Sequence, residues 1–201
     1  LDLGGVVLNI DYQRTQEAFR DLGFPDFDQL YTQFKQSELF VKLEKGHITP
    51  ADFLSALRRY SSRTVTDQQL TEAWNAMLLD LPPEHLASVS QLKADYQLYL
   101  LSNTNAIHYE CFFDKVEALL DQRTLRDYFR GSYYSHLVGE RKPDQRIFEL
   151  VSEANGLVPE QTLFIDDSPQ HVEAARALGF RTHQKDQRAS LPATLAYLGL
   201  A

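Results

Sequence analysis

The chain is short of cysteine, of basic charge and of long apolar runs. Cys111 is the single cysteine, so no internal disulfide can form and the fold must stand on its apolar core. That usage fits a reducing, cytoplasmic setting. No run of about 18 apolar residues occurs, so no membrane-spanning helix is expected. No signal peptide is visible. Lys and Arg number 20 against 28 Asp and Glu, a net charge of −8, so the basic face of a general nucleic-acid binder is missing. A local basic pocket for a small anion is still compatible with that balance. Internal repeats and low-complexity segments are absent. What is present, 43% apolar and 24% charged residues over 201 positions, suits one good-sized domain or a core with a small accessory unit.

Short apolar runs that end in polar or glycine-bearing turns read as buried parallel strands. They are the stump at Leu1, Tyr96 to Leu101, Gly131 to Tyr134, Thr162 to Ile165 and Arg181 to His183. The opening Leu1-Asp2-Leu3-Gly4-Gly5 looks like the tail of a strand whose start lies upstream. Helical patterns separate these runs, over Glu84 to Ala94, Pro143 to Ala154 and Pro169 to Leu178, the last with Ser168 as its cap and Gly179 as its stop. Alternation of this kind implies βαβ units around a parallel sheet.

Residues 11–83 differ, with helical periods and no convincing strand. Asp11 can cap a helix that ends at Gly23. Thr49-Pro50 starts another, and Thr66 with Gln69 forms a capping box before Leu70, Trp74, Met77 and Leu78. A helical block inserted after the first strand, with Pro82-Pro83 at its exit, reads as a lid. The expected architecture is a Rossmann-like α/β core of residues 1–10 and 84–201 carrying a helical cap of residues 11–83.

Ligands of open parallel sheets bind beyond the carboxyl ends of the strands. The polar residues there are Asp2, Ser102-Asn103 and Asp166-Asp167, with Lys142 just ahead of a helix. Adjacent carboxylates repel and resist joint ionisation. A divalent cation among Asp2, Asp166 and Asp167 would resolve that repulsion, and oxygen donors of this type are what Mg²⁺ takes. The glycines after Asp2 let backbone N–H groups approach an anion. A cation, a lysine and backbone donors are the electrostatic means of phosphoryl transfer, with Asp2 as the nucleophile.

Asp2-Leu3-Gly4-Gly5-Val6, Leu101-Ser102-Asn103, Lys142-Pro143 and Ile165-Asp166-Asp167 together resemble the four ordered motifs of the haloacid dehalogenase-like (HAD) hydrolase superfamily. The helical insert lies where that family carries its C1-type cap. LSNTN and RKP make the chain most similar to the sugar-phosphatase branch, which includes α-glucose-1-phosphatases. The resemblance implies that Asp2 attacks phosphorus, forming an aspartyl-phosphate. Leu3, Gly4, Ser102, Asn103 and Lys142 would hold the phosphoryl group, with Lys142 also steadying Asp2. Asp2, the Gly4 carbonyl and Asp167 would hold Mg²⁺, with Asp166 close by or bound through water. The implied function is Mg²⁺-dependent hydrolysis of a small phosphorylated metabolite, a sugar phosphate being one candidate. Neither a nucleic-acid nor a membrane partner is expected, and the sequence leaves the oligomeric state open.

One departure is Gly4. Most phosphatases of the superfamily have a second aspartate there, which protonates the leaving group and later activates water. A cap residue or water could serve instead, and some sugar-phosphatase-like relatives share the glycine. The alternatives are a 2-haloacid dehalogenase, which also uses Asp2 but needs no metal, and a binding protein that has lost turnover. The Asp166-Asp167 pair argues against the dehalogenase. Other residues have bland readings: His108 as a surface histidine, with contact to substrate as the alternative since it follows the Ser102 turn, Cys111 as core, Trp74 and Met77 as helix packing. Glu44-Lys45-Gly46 reads as a helix-to-helix turn, or as a cap loop facing the site. Substrate choice is expected to lie in cap side chains.

Overall fold

A computed structural model describes residues 1–25, 27, 38–119 and 124–200; part of the expected cap, residues 26 and 28–37, lies outside the described set. The first helix, α1 (Tyr12–Asp21), starts where the Asp11 carboxylate accepts the Gln13 N–H at 2.9 Å. It is followed by α2 (Glu38–Glu44), α3 (Pro50–Arg58) and α4 (Asp67–Asn75). Reciprocal capping boxes, Thr49 with Asp52 and Thr66 with Gln69, begin α3 and α4, satisfying backbone N–H groups that the first turn leaves open. These helices bury an aromatic cluster around Trp74, whose ring meets Phe53 at 4.7 Å, Phe40 at 6.0 Å and Phe19 at 6.2 Å between centroids.

The chain leaves for this helical unit and returns along two antiparallel segments. Asp11 N–H donates to Met77 O at 2.9 Å, Leu79 N–H to Asn9 O at 3.1 Å, and Asn9 N–H to Asp80 O at 3.0 Å. Exit and return therefore lie side by side.

The remainder alternates helices and strands: α5 (Pro83–Asp95), β1 (Tyr99–Ser102), α6 (Ala106–Leu119), β2 (Gly131–Tyr134), α7 (Ser135–Val138), α8 (Gln145–Asn155), β3 (Leu163–Asp166), α9 (Pro169–Ala177), β4 (Arg181–Gln184) and α10 (Leu191–Tyr197). β1 pairs with β2 and β3 with β4, both parallel. The stump at Leu1 joins the pairs: Leu101 N–H donates to Leu1 O and Asp2 N–H to Ile165 O, each at 2.9 Å. The order is thus β2, β1, the Leu1–Asp2 segment, β3, β4, and the fold is a Rossmann-like α/β core. Side chains alternate across this sheet. Leu100 and Ile165 enter a cluster with Val89 of α5 and Leu195 of α10, whereas Leu101 and Phe164 enter another with Phe148 of α8 and Ala175 of α9.

Some boundaries move. The strand expected from Tyr96 starts at Tyr99, because α5 runs to Asp95 and the Tyr96 N–H still bonds Leu92 O at 2.9 Å. The helix expected from Pro143 starts at Gln145. Ser168 occupies the cap position of α9 but its side chain makes no cap bond; its N–H is held at 2.8 Å by the Asp166 carboxylate instead.

Candidate active site

Asp2, Ser102 and Asp166 stand at the carboxyl ends of three neighbouring strand segments, so the parallel order brings them together. Lys142 enters from the loop before α8 and is fully buried. Its Nζ donates to Asp2 Oδ1 at 2.8 Å, Leu101 O at 2.8 Å and Asp166 Oδ2 at 2.6 Å, using all three ammonium hydrogens. The Asn103 amide fixes the backbone that carries it: Asn103 Nδ2 donates to Lys142 O at 2.7 Å, and Lys142 N–H to Asn103 Oδ1 at 2.8 Å. Ser135 holds the next residue in the same way, taking Thr104 N–H at 2.9 Å and donating to Thr104 O at 2.8 Å.

Burial shapes the ionisation here. It pushes the Asp2 carboxyl up to about 7, against the pull of Lys142 and with added repulsion from Asp166. Burial would also raise Asp166, but the Lys142 ammonium and the His171 contact outweigh it and hold that group well below the usual carboxylate range. Asp2 Oδ1 is engaged by Lys142, whereas Oδ2 carries no hydrogen bond among the described residues. The N–H groups of Leu3 and Gly4 likewise have no acceptor among the described residues, so they are available to an anion above Asp2.

Asp167 completes the acidic group. Gln187 Nε2 donates to its Oδ2 at 2.9 Å. Gly5 approaches so closely, at φ +78°, that a Cβ there would stand 2.4 Å from the same oxygen. Asp2, Asp166 and Asp167 each place a carboxylate oxygen within 4.8 Å of the other two. Three converging hard oxygen donors, with space guarded by a glycine, fit Mg²⁺. Asp166 already accepts from Lys142, Ser168 and His171, so Asp2 and Asp167 have the freer oxygens.

These residues floor a cleft of about 700 Å³ between the two units. Trp74, Met77, Phe40 and Glu44 reach it from the helical unit, and Asn105, His108 and Arg141 from the core. A second cavity, about 610 Å³, is lined by Leu1, Tyr99, Leu163 and Phe180, at the opposite ends of the strands and away from the carboxylates.

All the residues that the sequence singles out for chemistry gather at this floor. Others behave differently from expectation. His108 is not a surface histidine: its Nε2 donates to Trp74 O at 3.0 Å, its ring stacks on Trp74 at 5.4 Å, and burial pushes it down to about 4. Trp74 and Met77 do pack, yet both also face the cleft. Cys111 is half-buried. Glu44 faces the site and lies 2.9 Å from Arg141 Nε, while Lys45 lies 2.9 Å from both Glu140 and Asp144. Gln187 and Ser135 are not singled out by the sequence, and Arg141 enters it only as the first residue of the RKP run.

A family model described as haloacid dehalogenase-like hydrolase matches residues 1–179. A D-ribitol-5-phosphate phosphatase of Bacteroides thetaiotaomicron is 30% identical over 190 residues, 94% of this chain and 91% of that protein. The crystal structure of a HAD family enzyme from the same organism, in complex with magnesium and inorganic phosphate, is 36% identical, with a TM-score of 0.83 over 94% of this chain and 93% of that one. The L-2-haloacid dehalogenase of Xanthobacter autotrophicus shares the fold, with a TM-score of 0.60 at 18% identity over 100% of this chain and 82% of that one.

Proposed function

The chain belongs to the haloacid dehalogenase-like hydrolase family, and on that premise we propose that it is a Mg²⁺-dependent phosphatase working through an aspartyl-phosphate on Asp2. The observation that carries the reading is the buried Lys142 ammonium bonded to both Asp2 and Asp166, with Asp167 completing an acidic triad at the cleft floor. A metal-free dehalogenase has no use for that third carboxylate. The resemblance to a D-ribitol-5-phosphate phosphatase supports a sugar or polyol phosphate as the ester.

Asp2 and Asp167, with Asp166 nearby, would hold Mg²⁺, which would supply charge neutralisation at the phosphoryl oxygens. The chain does the rest. Lys142 holds Asp2 Oδ1, which fixes the plane of the nucleophilic carboxylate. The Leu3 and Gly4 N–H groups, with Ser102 and Asn103, hold the phosphoryl oxygens as charge spreads over them. The Asp2–phosphorus bond forms as the ester bond breaks, and the alkoxide takes a proton from water in the cleft, since Gly4 offers no acid. Water then attacks the aspartyl-phosphate, releasing phosphate and restoring Asp2.

The division into a core of residues 1–10 and 84–201 and a cap of residues 11–83 is part of the proposal. The paired exit and return segments and the aromatic cluster around Trp74, drawn mainly from residues 19–74, support it. Cap opening would admit the substrate and release the product. Single-cysteine usage supports a cytoplasmic location. The test is phosphate release from sugar, polyol and p-nitrophenyl phosphates with Mg²⁺ and then with EDTA. Release should require the metal and vanish in Asp2→Asn, whose circular dichroism should match the parent. Turnover that survives Asp2→Asn would sink the mechanism.

A further inference from the structure

Among the described residues, the cleft is lined by four carboxylate or guanidinium side chains. Asp2 and Asp167 belong to the floor. The other two, Glu44 at the end of α2 and Arg141 beside Lys142, face each other across the seam between cap and core. Arg141 Nε is 2.9 Å from Glu44 Oε2, with the two side chains 18% and 10% exposed. The guanidinium carbon lies 5.9 Å from the centre of the Phe40 ring. No described residue accepts from the two terminal nitrogens of Arg141, so that face of the fork is open to a ligand. Lys45, the next cap cation, is occupied by Glu140 and Asp144 and does not disturb the balance.

We propose that this pair is the specificity-determining element for the leaving group, and that it selects a neutral, hydroxyl-bearing one; the inference rests on the phosphatase reading above. A hydroxyl can donate to the Glu44 carboxylate and accept from Arg141, so a polyol satisfies both partners. A purely apolar leaving group would displace water from them and give nothing back, which is costly for desolvated charged groups. A carboxylate would match the planar fork of Arg141 but meet the Glu44 charge beside it. Glu44 is therefore the group that turns away anionic leaving groups, and Arg141 without it would welcome them. Trp74 and Phe40 offer flat apolar faces for the carbon side of the same chain.

The experiment compares kcat/KM for two esters that differ at one carbon, D-ribitol 5-phosphate and D-ribonate 5-phosphate, with Mg²⁺. The parent should favour the polyol. Glu44→Gln should shift the ratio toward the carboxylate by about tenfold, the scale of one unbalanced charge contact. Glu44→Asp should keep the parental ratio, and Arg141→Gln should move it the other way. Opposite shifts cannot come from a common loss of folding or cap closure, which would move both variants alike. An unchanged ratio in Glu44→Gln with phosphate still released, a shift of the same sign in both variants, or a parent that prefers the carboxylate overturns the inference and leaves the phosphatase standing. No release from either ester or from p-nitrophenyl phosphate overturns both.

Discussion

In the core, the side chains of Lys142, Asp166 and Asp2 are 0%, 0% and 10% exposed and hold one another at 2.6–2.8 Å. At the seam, the side chains of Lys45, Glu140 and Asp144 are 19%, 31% and 49% exposed, although their ion-pair distances, 2.9 Å each, are nearly as short. Distance alone would rank the two groups as equals. Burial separates them: a charge in the interior cannot fall back on water when its partner is removed, whereas one at a wet seam can. The floor group is held by charges that have only one another, and the seam group keeps its access to water.

The sharpest way to break this comparison is Lys142→Ala. It strands two buried carboxylates, so it should cost about 3–5 kcal/mol in metal-free urea unfolding as well as abolish phosphate release. A cost no larger than that of a seam variant would mean that the core carboxylates simply take up protons without penalty. Gly5→Ala should rank next. Its Cβ would meet Asp167 Oδ2 at 2.4 Å, from a backbone at φ +78°. About 1–2 kcal/mol of stability should be lost to the left-handed backbone alone. Mg²⁺ affinity by calorimetry should fall with it, because Asp167 has to move. Lys45→Ala should be smallest, about 0.2–1 kcal/mol for partly exposed pairs, with Mg²⁺ affinity unchanged. A larger loss would show that the seam is as tightly built as the floor.

The reach of sequence reasoning follows the same divide. Asp2, Ser102, Lys142, Asp166 and Asp167 were legible because each follows or precedes a local pattern: an apolar run, a helix start, a motif in fixed order. The caps at Asp11, Thr49 and Thr66 were legible for the same reason, since a capping side chain bonds a backbone group only two or three residues away. The surface reading of His108 fails because one histidine on a helix carries no sign of what packs above it, and here that is the Trp74 carbonyl from the helical segment, while the alternative of facing the cleft holds. Gln187 reaches Asp167 across 20 residues and the Leu1 stump slots between β1 and β3, both outcomes of sheet order.

By itself, then, the sequence determined the alternation of strands and helices, the helical insert and which polar residues stand at the strand ends, because these depend on side-chain period and on neighbours along the chain. Only the tertiary structure decided that one lysine would clamp two carboxylates, that Gly5 would lie against Asp167, and that Glu44 would meet Arg141 across the cleft. Those contacts join residues that share no local pattern. They exist only once the sheet has set its order and the helical segment has packed against it.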